Sequence, residues 1–118
     1  MTVSRGDVVI LDLPFTDRPG SRLRPMLVVQ NDRNNARMAN TILVLITTNT
    51  SRAHEPTQVL IDPHTPEGKS SGLVAPSVVS CENIVTARQR KIVRKIGQLS
   101  PALLAKVAAA LKASLELP

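Results

Sequence analysis

Aromatic side chains are nearly absent from this 118-residue chain, which has one Phe, no Tyr and no Trp. That excludes binders that hold single-stranded nucleic acid by stacking bases on aromatic platforms. Cysteine occurs once, at Cys81, so an internal disulfide is excluded, and no Cys/His spacing suggests zinc. Within Val78-Val79-Ser80-Cys81 the thiol reads as a small buried filler. No apolar run approaches the roughly 20 residues needed to cross a bilayer. The start, Met1-Thr2-Val3-Ser4-Arg5-Gly6-Asp7, shows no basic-then-apolar leader, so the expectation is a cytoplasmic protein without membrane association. Acidic residues are the other shortage: 9 Asp and Glu face 15 Lys and Arg, for a net charge of +6. Such a balance favours an anionic partner, and nucleic acid is the commonest large anion in a cytoplasm. Any grip on it must come from Arg, Lys and backbone groups.

The hydrophobic content of 42% supports a folded chain, long enough for a single domain over residues 1–118. Residues 7–15 read as a short strand stopped by Pro14, and 16–23 as a surface loop with Pro19, Gly20 and two arginines. A second strand is expected over 25–31, then a short helical turn through Met38. Residues 41–47, apolar on both faces, suit a central strand. A polar loop over 49–56 and a strand over 57–62 follow, then a turn-rich loop over 63–72. One or two strands are expected within 73–86, and another over 90–99. Ser100-Pro101 signals a helix start, and Leu104, Val107, Leu111 and Leu115 recur as one apolar stripe. Several short strands followed by one amphipathic helix argue for a small curled β-barrel capped by a C-terminal helix.

Arg24 stands out. Pro25 fixes its own φ and pushes Arg24 toward an extended conformation, holding a guanidinium at a strand mouth. The planar fork of an arginine suits paired hydrogen bonds to phosphate oxygens.

Five pieces of sequence arrive in a recognisable order. They are Arg5-Gly6-Asp7-Val8-Val9; Arg24-Pro25 leading into Leu27-Val28-Val29-Gln30-Asn31; Leu45-Ile46-Thr47; Pro76-Ser77-Val78-Val79 leading into Glu82-Asn83-Ile84; and Lys95-Ile96-Gly97-Gln98-Leu99. Together, over nearly the whole chain, they resemble the MazF/PemK family of toxin endoribonucleases. The resemblance implies a mainly β protein, an SH3-like barrel with a C-terminal α-helix, that forms homodimers. It implies cleavage of single-stranded RNA without a metal or other cofactor, leaving 2′,3′-cyclic phosphate and 5′-hydroxyl ends. An acidic antitoxin is the implied protein partner. The family's catalytic arginine and threonine fall on Arg24 and Thr47, and its RNA-contacting serine and acidic residue on Ser77 and Glu82.

Further candidates for RNA binding are Arg18 and Arg22 beside the first loop, Gln30 and Asn31 in the matched motif, and Arg88 in the cluster Arg88, Arg90, Lys91, Arg94, Lys95. His54 and His64 match no family motif. Neighbouring strand residues point to opposite faces, so Thr47 and Thr48 are not expected to line one groove together, and the resemblance favours Thr47. A gyrase-binding toxin similar to CcdB, or a catalytically inactive RNA- or antitoxin-binding relative, are the competing readings, since one architecture hosts several functions. Arg24-Pro25 with Thr47 is the feature a gyrase binder has no chemical need for.

Overall fold

The computed structural model describes residues 2–118. Its elements are β1 (Asp7–Pro14), β2 (Ser21–Val28), α1 (Asp32–Arg37), β3 (Asn40–Thr47), β4 (Gln58–Ile61), β5 (Ser77–Arg88), β6 (Ile92–Gln98) and α2 (Pro101–Leu115). The strands form one antiparallel sheet in the order β4-β5-β3-β2-β1-β6. The barrel expected from sequence is therefore a curled sheet with two edges, not a closed cylinder.

Curling follows from the cores. Val8, Leu27, Val44 and Ile46 pack on one face with Leu103, Val107 and Ala110 of α2. Their strand neighbours Val9, Met26, Val28 and Leu43 pack on the other face with Val3, Leu11 and Ile92. Val85 and Ala87 of β5 and Leu13 of β1 join that second cluster, although β3 and β2 lie between those strands. Only a sheet wrapped on itself brings them together. Apolar residues on both faces of β3 are thus explained by two cores, and β3 is central as its sequence suggested.

Local signals set the element boundaries. The Asn31 side chain caps α1 by accepting from the Asn34 N–H at 2.9 Å. The Ser100 hydroxyl oxygen accepts from the Leu103 N–H at 3.3 Å, with Pro101 in the first turn of α2. The helix buries Leu103, Val107 and Ala110, whereas Leu115 is 53% exposed. Of the expected stripe, Val107 is buried and Leu104 and Leu111 pack part-buried on the same core, whereas Leu115 lies beyond it. Each buried Leu or Val there contributes about 1.5–3 kcal/mol of burial.

Two other boundaries differ from expectation. The second strand starts at Ser21 rather than Pro25, because Ser21 to Arg24 pair with β1 despite their polarity. It stops at Val28, since Gln30 turns inward. The Gln30 Nε2 donates to Asn35 Oδ1 and to the Asn40 carbonyl, both at 3.0 Å, and Thr41 Oγ1 donates to Asn35 Oδ1 at 2.7 Å. Gln89 extends this buried network, donating to the carbonyls of Asn35 and Met38 and accepting from the Val3 N–H.

The edge at β6 is covered by a 3-10 turn, Lys69–Ser71, within the stretch expected to lack regular structure. Ser70 Oγ donates to the Gln98 carbonyl at 2.7 Å. Gly72 follows at φ +75°, where a Cβ would lie 2.0 Å from the Ile96 carbonyl oxygen. Only glycine permits this close approach. Among the described residues, no helix is long and apolar enough to cross a membrane.

Candidate active site

Pro25 opens the site. It has no N–H to give a sheet ladder, and the β2–β3 pairing runs only over Met26 to Val28, opposite Leu45 to Leu43. Beyond Met26 the two strands part. The wedge between them has a volume of about 340 Å³ and is lined by Arg22, Leu23, Arg24, Pro25, Ile46, Thr47 and Thr48. Continuing the Met26–Leu45 register by two residues sets Arg24 opposite Thr47, and opposite residues of an antiparallel pair share a face. Arg24 is half-buried and has no ion-pair partner among the described residues. The Thr47 oxygen accepts from the Asn49 N–H at 3.2 Å, which leaves the hydroxyl hydrogen free to donate. A charged fork and a neutral donor thus face one cleft, an arrangement suited to a phosphate.

Thr48 also lines the wedge. Face alternation no longer separates it from Thr47, because β3 ends at Thr47. Arg22 lies on β2 and reaches the same cleft. Arg18 sits in the 15–20 hairpin turn with its guanidinium carbon 4.1 Å from the centroid of the Phe15 ring, outside the wedge lining. Ser77 is buried beside a neighbouring depression and donates to the Ala75 carbonyl at 2.9 Å.

The structure does not bring the remaining sequence candidates to the wedge. Gln30 is committed to the buried network and Asn31 to the cap of α1. Arg88 pairs with Asn40 at the other end of β3, seven residues from Thr47, or roughly 23 Å at a strand's rise per residue. Glu82 belongs to a bulge. The β3–β5 register steps from Val44–Ile84 to Leu45–Ser80, so Cys81, Glu82 and Asn83 have no partners on β3. There Glu82 accepts from Arg52 and, at 2.6 Å, from Thr57 Oγ1, while Arg52 also holds Glu55. The Thr57 hydroxyl, then the Arg52 guanidinium, holds the Glu82 carboxyl below the usual range. It is an anchored anion and a weakened base. Burial, with the Glu82 charge as a lesser cause, pushes the Cys81 thiol up to about 11, consistent with an inert filler.

Neither histidine lines the wedge. His64 instead packs on Asp62, whose carboxylate accepts from the His64 N–H at 2.9 Å. Sequence reasoning passed over Arg94 as one charge of a cluster. The β1–β6 register sets it opposite Ile10, at the depression beside the wedge, and only tertiary pairing reveals that.

A family model described as a PemK-like, MazF-like toxin of type II toxin–antitoxin systems matches residues 4–115. Endoribonuclease EndoA of Bacillus subtilis is 36% identical over 118 residues, covering 99% of this chain and 97% of the relative. Endoribonuclease MazF6 of Mycobacterium tuberculosis is 33% identical over 120 residues, covering 99% of this chain and 100% of the relative. A solved mycobacterial endoribonuclease in complex with its cognate antitoxin has a TM-score of 0.78 at 28% identity, covering 98% of this chain and 97% of its own. The MazF of a MazE–MazF complex from Deinococcus radiodurans also has a TM-score of 0.78, at 18% identity, with 100% and 99% covered. That last likeness is one of fold.

Proposed function

This chain belongs to the PemK-like, MazF-like toxin family of type II toxin–antitoxin systems, and on that premise we propose that it is an endoribonuclease that cuts single-stranded RNA without a metal. The observation that carries the reading is the placement of Arg24 and Thr47 on one face of a wedge that Pro25 opens. The ribose 2′-oxygen forms a bond to the adjacent phosphorus and loses its proton. The bond from phosphorus to the 5′-oxygen breaks, and that oxygen takes up a proton. The products are a 2′,3′-cyclic phosphate and a 5′-hydroxyl.

Arg24 acts on the negative charge that gathers on the phosphate oxygens in the transition state, where a preorganised charged donor has its largest effect. Thr47 adds a second hydrogen bond to the same group. Neither is a base, since an arginine stays protonated. The wedge lining contains no carboxylate or imidazole, so this chain's wedge supplies electrostatic stabilisation and the protons move through groups outside it. In this reading the protein acts in the cytoplasm as a homodimer. Its net charge of +6 draws both the RNA backbone and an acidic antitoxin.

The test is incubation of the purified protein with a long single-stranded RNA in EDTA, followed by mapping of the new ends. Discrete cuts with cyclic-phosphate ends are expected. Cutting that appears only when a divalent cation is restored would overturn metal independence. A folded protein that never cuts would overturn the ribonuclease reading in favour of a binding toxin.

A further inference from the structure

The wedge shares a wall with a second depression. Pro25, Ile46, Thr47 and Thr48 line both, and the second, of about 280 Å³, is completed by Ile10, Ile96, Arg94, Ser77 and the 72–75 segment. We infer that this slot receives one of the two nucleobases flanking the phosphate seated at Arg24 and Thr47, and that Arg94 and the 72–75 segment set which base is preferred there. The inference rests on the ribonuclease reading above.

Three features single out a base as occupant. The first is continuity: a base is one sugar removed from its phosphate, and Pro25, Ile46, Thr47 and Thr48 line both depressions. The second is chemistry. Ile10, Ile46, Leu73 and Ile96 offer aliphatic walls to the faces of a flat ring, and the lining carries both hydrogen-bonding senses. The Ser77 hydroxyl spends its hydrogen on the Ala75 carbonyl, so its oxygen is left to accept. Arg94 has no ion-pair partner among the described residues, so its guanidinium is free to donate to a base edge or to lie against a ring. Unstacked bases are recognised on guanidinium planes as well as on aromatic ones, and this chain has one aromatic residue in all.

The third feature is Val74, an apolar side chain 93% exposed at the slot's mouth. A base entering the slot would cover it. The segment that carries it is fixed at its start by the contact of Gly72 with Ile96, so the slot wall is held in place before any RNA arrives, as a reading site requires.

The experiment is digestion of a random-sequence single-stranded RNA pool, with the cut ends sequenced, by the wild type, Arg94→Ala, Val74→Ser and, as a control of equal charge loss on the helix, Lys112→Ala. Both slot positions are exposed, so neither change removes core packing. Arg94→Ala is expected to weaken base preference by about ten-fold, the worth of one lost hydrogen bond, at a single position next to the cut. Val74→Ser is expected to weaken the same position, and Lys112→Ala none. Slot variants that keep the wild-type preference next to the cut, whether or not overall cutting slows, would overturn the inference while leaving the ribonuclease reading intact. A wild type that does not cut would overturn both.

Discussion

Removing the Arg24 guanidinium separates stability from chemistry, because the transition state loses several times more free energy than the fold does. Arg24 is half-buried and has no carboxylate partner among the described residues, so Arg24→Ala strands no counter-charge. The fold should lose no more than about 0.5–1 kcal/mol. A charged donor aimed at a developing oxyanion is worth about 2.7–4 kcal/mol, or 10²- to 10³-fold in rate. Arg24→Lys keeps the charge and loses the fork, and should fall between wild type and Ala. Thr47→Val removes a hydrogen bond to a charged phosphate, worth about 1.5–3 kcal/mol or roughly ten- to hundred-fold in rate, together with the bond from the Asn49 N–H. If both side chains hold one phosphate, the double variant should lose less than the summed effects, with a coupling of about 0.5–3 kcal/mol. Single-turnover cleavage of a short RNA with one site, alongside thermal melts, measures all of these. A folded Arg24→Ala protein within ten-fold of the wild type would refute the electrostatic role, and strict additivity of the pair would refute the shared phosphate.

Asn35→Ala deprives buried Gln30 and Thr41 of a common acceptor and should lower urea stability by about 2–3 kcal/mol; a change below about 0.5 kcal/mol would count against the network. Gly72→Ala places a Cβ against the Ile96 carbonyl at positive φ and should cost at least about 2 kcal/mol, visible as a fall of several degrees in melting temperature. Glu55 and Glu82 are both held below the usual carboxylate range, Glu55 chiefly by Arg52 and Glu82 by Thr57 and then Arg52. Their contribution is therefore fully present above that range and is lost as pH falls through the lowered values. Protease nicking within residues 49–57 should stay flat from about pH 6 to 8 and rise in acid. An acid response unchanged in Glu82→Gln would argue against the clasp.

Much of this fold was legible because local chemistry and tertiary packing agree. Ser100-Pro101 starts α2 as its cap predicts, and β3 is central as its two apolar faces predict. The misreadings have specific physical origins. Ser21 to Leu23 looks like loop because two of the three are polar or charged, yet backbone pairing with β1 is indifferent to that. Gln30 and Asn31 look like binding residues because they are polar beside a matched strand, but Gln30 is held in a buried network and the Asn31 oxygen caps α1. Of the site, Arg24 and Thr47 were visible in the motifs, and their placement on one face follows from a register only the sheet reveals. Arg94 and Ile10 are 84 residues apart in sequence and meet only through the β1–β6 pairing.

That last pairing has a consequence for how the protein comes into being. Asp7 pairs with Gln98, and the Val3 N–H bonds to the Gln89 side chain across 86 residues. Contacts of this span are the slow ones in folding. During synthesis β1 and β2 emerge early with Arg24, and β3 follows with Thr47. The strand that flanks β1 on its other side and the helix that packs on the core are translated after all three. The N-terminal half therefore waits on the ribosome without its mate, and the sheet is complete only once β6 has emerged. The wedge residues on β2 and β3 are thus made well before the pairing that completes the sheet around them.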